Sequence, residues 1–152
     1  MAASKPIRIC DLESLQIVED TLRDSVIPRS EIRYDSAQNS LHIVAWQLDN
    51  EIRQYERLIG PVYRRHVPSR KWLIIFHGVE RFTESLLPSY NRSEQFSLGA
   101  LRWNKFNELK LETYDGLQIV AQMPSLVGEA LPTDDTSLDR GKSTITSRWK
   151  QR

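Results

Sequence analysis

Four side chains in this sequence are nitrogen or sulfur metal ligands of the usual kind: Cys10, His42, His66 and His77. No pair has H-x-x-x-H or C-x-x-C spacing, so any metal site would have to be assembled by the fold. His42 and His77 fall on segments that read as strands and could share a sheet face. They are therefore the first candidates for a non-contiguous acid–base pair, with hydrogen-bonded structural histidines as the plain alternative. Nucleophilic chemistry has less support. There is no G-x-S-x-G elbow, and Cys10 precedes the first helix without a local base. The six glycines, at 60, 78, 99, 116, 128 and 141, are too scattered for a phosphate-binding loop. No catalytic residue, cofactor or metal is assigned, and the expectation leans away from an enzyme.

Residues 51–72 stand apart. Arg53, Arg57, Arg64, Arg65, Arg70 and Lys71 face only Glu51 and Glu56, six bases against two acids, or +4. Tyr55, Tyr63 and Trp72 interleave with them. Arginine beside aromatic rings serves phosphate contacts and base stacking, and it equally forms protein–protein hot spots. A solvated strand face is the plain reading. The partner-binding candidates are Arg53, Arg57, Tyr63, Arg64, Arg65, Arg70 and Lys71. A protein partner or self-association is placed ahead of nucleic acid, because 21 Lys+Arg nearly balance 20 Asp+Glu over the whole chain.

The elements that must carry these residues are short. Length, 152 residues, suits one domain with or without a tail. One cysteine leaves no internal disulfide, and the N-terminus lacks the apolar stretch of a signal peptide. The longest apolar run, Leu73 to Phe76, cannot cross a bilayer, so a soluble cytoplasmic protein without a membrane role is expected. Leu12, Leu15, Val18 and Leu22 recur at helical intervals, which predicts a helix over 11–24 with Asp11 as N-cap. Glu31 to Asp35 and Ser40 to Leu48 alternate and read as a hairpin. Residues 49–70 are ambiguous between helix, strand and loop. Lys71 to His77 is the strongest strand, and its continuous apolar run suggests cover on both faces. Phe96, Leu98 and Ala100 fall out of phase with Leu101 and Trp103, which calls for a bulge near Gly99. Asp115-Gly116 between two alternating runs predicts a tight primed turn.

The order Asp11-Leu-Glu-Ser-Leu15, Leu22-Arg-Asp-Ser-Val26, Leu73-Ile-Ile-Phe76-His-Gly-Val79 and Asp115-Gly-Leu-Gln-Ile119 resembles an uncharacterised bacterial family of small α+β proteins, a domain of unknown function. The resemblance spans about residues 7–123, implies an α+β fold and carries no activity. The fold expected is a twisted, mainly antiparallel sheet of five to seven strands, or a partly closed roll, with the N-terminal helix packed on one face. Residues 1–125 form the domain, and 126–152 read as a polar, mobile tail. The function expected is a non-catalytic binding or assembly module acting through a sheet edge or residues 51–72.

Overall fold

The computed structural model describes residues 5–48, 54–59, 62–66, 68–87, 94–137 and 144–147. Strand β1 (Ile7–Ile9) leads into helix α1 (Leu12–Leu22), and β2 (Val26–Pro28) and β3 (Ile32–Asp35) follow. Next come β4 (Ser40–Leu48), β5 (Gln54–Ile59), β6 (Val62–His66), β7 (Ser69–His77) and β8 (Arg81–Leu86). The chain closes with β9 (Gln95–Trp103), β10 (Glu108–Thr113), β11 (Leu117–Gln122), β12 (Gly128–Ser137) and β13 (Thr144–Ser147). Ten strands join one antiparallel sheet in the order β1-β12-β7-β4-β2-β9-β10-β11-β8, with β3 also on β4. The other three form a separate sheet, β13-β6-β5.

The architecture is mostly antiparallel sheet with one helix, and it has more strands than the five to seven expected. Several strands are too short to alternate visibly: β1 and β2 have three residues each. The expected tail also contributes. Gly128–Ser137 pairs with β7 along one side and with β1 along the other. Its polarity does not prevent this, because a strand's ladder hydrogen bonds come from the backbone and only Ala130 must enter the core. The sheet therefore extends past residue 125. Of the remaining tail, residues 144–147 pair with β6, and residues 138–143 and 148–152 lie outside the described residues.

Strand β4 shows how the two faces divide. Leu41, Ile43 and Ala45 are fully buried in the core, while His42 and Val44 are half-buried on the opposite face. Trp72, Ile74 and Phe76 of β7 continue the core side. Leu15, Val18 and Leu22 of α1 seal that core, as the helical spacing predicts, whereas Leu12, expected on the same stripe, is exposed in the first turn. At the far end of the order β8 returns against β3. Phe82 stacks on Tyr34 with centroids 5.8 Å apart, and Arg29 pairs with Glu84 at 2.8 Å. The sheet is coiled strongly enough for these distant strands to touch.

Local signals were mostly sound. The bulge lies at Gly99: Glu112 faces Ala100 while Thr113 faces Leu98, so one residue is skipped. Glu19, buried on α1, accepts the N–H of Leu101 just beyond that bulge at 2.9 Å. The β10–β11 connection differs from the primed turn expected. It spans three residues, Tyr114 to Gly116, and only Gly116 has positive φ, at 95°. That is the geometry of a three-residue hairpin loop closed by a glycine in the left-handed region.

The helix ends at Leu22, two residues short of the expected span, because Arg23 is extended and Asp24 takes a φ of 68°. Its start is as predicted. Asp11 accepts the Ser14 N–H at 2.7 Å, and Ser14 Oγ accepts the Asp11 N–H at 3.1 Å. The Ser14 backbone N–H, and after it the Ser14 hydroxyl, hold the Asp11 carboxyl below its ordinary 3.8. A lowered folded value means that the stabilisation is present above the unfolded value and is lost as pH falls through the folded one. Asp11→Asn keeps a capping acceptor but cannot titrate. In thermal melts the wild type should progressively lose its advantage over Asp11→Asn as pH falls below about 3.8. A melting difference that stays constant on acidification would contradict the capping role.

Candidate functional site

The basic segment does not stay in one piece. Arg57 lies on β5, Tyr63, Arg64 and Arg65 lie on β6, and Arg70 and Lys71 lie on β7 in the large sheet. Arg53 is outside the described residues. Strands β5 and β6 occupy the connection between β4 and β7, whose own ladder ends at Leu48 opposite Ser69. Over residues 54–59 the helical spacing of Tyr55, Leu58 and Ile59 gives way to strand, with Val62–His66 as the ladder partner; Ile52 lies outside the described residues.

Register places the residues of this ribbon. Tyr55 faces Arg65, Glu56 faces Arg64, and Arg57 faces Tyr63. On the other edge of β6, Thr144 faces Arg65, Ile145 faces Arg64 and Thr146 faces Tyr63. Because side-chain direction alternates with period two, positions 55, 57, 63, 65, 144 and 146 share one face. Positions 56, 64 and 145 share the other. The contribution of β13 was missed in the sequence, although Thr144-Ile145-Thr146 is a β-branched run of the kind that favours strands.

Arg70 and Lys71 serve the large sheet instead. Arg70 is half-buried opposite Gln47 and Thr136, and its Nε is buried with no hydrogen-bond partner among the described residues. Lys71 Nζ lies 3.8 Å from Asp135, a partly exposed pair that contributes little to stability. Lys71 also rims a shallow groove on the outer face with Glu31, Arg33 and His42, floored by Val44 and Leu73. The structure thus gathers Arg57, Tyr63, Arg64 and Arg65 on one ribbon and assigns Arg70 and Lys71 to another sheet.

The two histidines do share a sheet face. His42 faces Ile75, two residues before His77, and His77 faces Ser40. Their partners differ: His42 Nε2 is 2.9 Å from Ser40 Oγ, and His77 Nε2 is 3.4 Å from Glu129. They also line different hollows, His42 the groove beside Lys71 and His77 one beside Arg8 and Val127. Ser40 is almost fully buried, so its hydroxyl is not presented to a substrate. The geometry orients each imidazole locally and does not converge on a reacting centre.

Among the described residues no group of three or more His, Cys, Asp or Glu is placed to hold a metal ion, and no helix is long and apolar enough to cross a membrane. No family model matches the chain, and neither a curated protein nor a solved structure matches it. The likeness to the uncharacterised bacterial family therefore rests on the residues quoted for it alone.

Proposed function

We propose that this protein is a non-catalytic binding module, working in the cytoplasm, that engages an anionic partner through the β5–β6–β13 ribbon. The observation that carries this reading is the branching of part of the basic segment, Arg57 and Tyr63 to Arg65, into a sheet of its own. Arg57, Tyr63, Arg64 and Arg65 sit on strands that the ten-stranded sheet does not use for its ladder. Residues needed only to complete the core would have no reason to form a second sheet rich in arginine. Arginine suits the task, since its planar fork binds carboxylate or phosphate in bidentate fashion and never loses its charge.

Near-neutrality of the whole chain makes a clean test possible, because a net charge of +1 supplies almost no general attraction to a polyanion. Retention on immobilised heparin must then come from a local cluster. Wild-type protein should be retained and elute with added salt, while Arg64→Glu/Arg65→Glu should pass through nearly unretained. Identical elution of the two would reduce the ribbon to ordinary surface. Light scattering on the same samples separates self-assembly from capture of a different molecule.

A further inference from the structure

We infer that the outer face of the large sheet binds a free medium-chain fatty acid, its carboxylate at Arg33 and its tail lying across β4, β7 and β12. This site is separate from the ribbon and does not depend on it. Register sets its plan. Arg33 of β3 faces His42 of β4, which in turn faces Ile75 of β7. One pleat along, Val44 faces Leu73, and Leu73 faces Leu131 of β12. All these side chains project from the face opposite the core. Helix α1 packs on the core side, so Val44, Leu73, Ile75 and Leu131 stay half-buried with no helix over them among the described residues. Val44 and Leu73 floor a groove of about 420 Å³, and Leu131 lines the next hollow along the face.

The place of the head group follows from which charges are already engaged. Arg33 is exposed and makes no ion pair or hydrogen bond among the described residues. Glu31 and Asp35, two residues to either side, do not pair with it. Asp35 Oδ1 accepts the N–H groups of Ala37 and Gln38 at 3.0 and 3.2 Å, and Glu31 Oε2 accepts the Trp46 indole N–H at 3.3 Å. Lys71 already has Asp135 at 3.8 Å. At the opposite end Glu129 stands between the aliphatic residues and Arg8, which faces it across the ladder. A carboxylate would meet Glu129 first there. The open cationic end is therefore that of Arg33, beside His42, whose Nε2 is held by Ser40 Oγ at 2.9 Å.

That arrangement selects the ligand. A guanidinium binds a carboxylate through its planar fork, and the aliphatic floor takes a hydrocarbon tail. One unpaired guanidinium flanked by two acids suits a single negative charge and disfavours a polyanion. From β3 to β12 is three strand spacings, about 14 Å, which an extended chain of about ten carbons covers.

The test is isothermal titration of the full chain with sodium decanoate below its micelle concentration. Saturable binding of one molecule is expected. Hexanoate, four methylenes shorter, should bind at least about tenfold more weakly, because an open face buries each methylene only in part. Decyltrimethylammonium, with the same tail and the opposite charge, should also lose at least about tenfold. Arg33→Glu and Leu73→Gln should each weaken decanoate binding by at least about tenfold, with circular dichroism confirming that both are folded. Arg64→Glu/Arg65→Glu should bind decanoate like the wild type, which keeps this result distinct from the fate of the ribbon. Decanoate affinity unchanged by Arg33→Glu, or equal for hexanoate and decanoate, would overturn the inference. Sedimentation with phosphatidylglycerol vesicles but no heat from free decanoate would overturn it as well, since the source would then be a membrane surface.

Discussion

Gly128→Ala should destabilise the protein by about 3 kcal/mol, the upper end of what overpacking costs, and lower its melting temperature by roughly 6–12 °C. A Cβ at this position would lie 2.5 Å from the carbonyl oxygen of Ile75 and 3.0 Å from Cδ1 of Phe76. The first of these is a backbone atom in the ladder between β12 and β7, so no rotamer change can relieve the clash. Gly128 faces Phe76 on one side and Ile9 on the other, and the neighbouring His77 N–H donates to Val127 at 2.9 Å. Moving β12 away would disturb both ladders together. Gly78→Ala provides the comparison. Gly78 has a φ of 73°, but its added Cβ would meet only Pro124, at 3.9 Å. Its cost is backbone strain alone, about 1 kcal/mol. Denaturant melts should therefore rank Gly128→Ala well below Gly78→Ala; a Gly128→Ala protein as stable as the wild type would mean that β12 does not sit against β7 as described.

Gly128 also shows where sequence reading stops. A glycine followed by Glu129-Ala130 and then by Thr and Asp looks like the start of a tail, because nothing local reveals a neighbouring strand. The signal that makes it a strand is the free edge of β7, which lies more than fifty residues earlier. Elements with a local cause were legible: the helix through its apolar interval and Asp11 cap, the β10–β11 pair through Asp115-Gly116, the Gly99 bulge through a phase slip. Elements whose cause is a distant partner were not. Strands β1 and β2 are too short to show a pattern, and β13 is held by β6 across some eighty residues. The candidate site divides in the same way. Its composition, arginine with tyrosine, was visible in the sequence. Its grouping was not, since register alone places Arg57 and Tyr63 opposite each other and leaves Arg70 and Lys71 in a different sheet.

Trp72→Ala is the second large effect expected, about 4 kcal/mol, from a buried indole whose space cannot fully collapse. Volume is only part of that cost. Trp72 Nε1 donates to Gln47 Oε1 at 3.0 Å, and Gln47 Nε2 in turn donates to the carbonyl of Thr21 at 3.0 Å. Thr21 lies in the last turn of α1, where carbonyls lack partners within the helix. One glutamine thus satisfies an indole from the sheet and a carbonyl from the helix end, and it fixes how the two meet. Trp72→Phe separates the contributions: it keeps most of the packing but leaves the Gln47 oxygen without its donor, for about 2 kcal/mol. Gln47→Leu leaves both neighbours unpaired and should cost a similar amount. Once Gln47 is leucine, the indole N–H of Trp72 has no acceptor there, so Trp72→Phe should then cost little. The double variant should be more stable than the sum of the singles predicts by at least about 1 kcal/mol in urea melts with unchanged slope. Additivity within about 0.5 kcal/mol would show that the indole and the amide act independently.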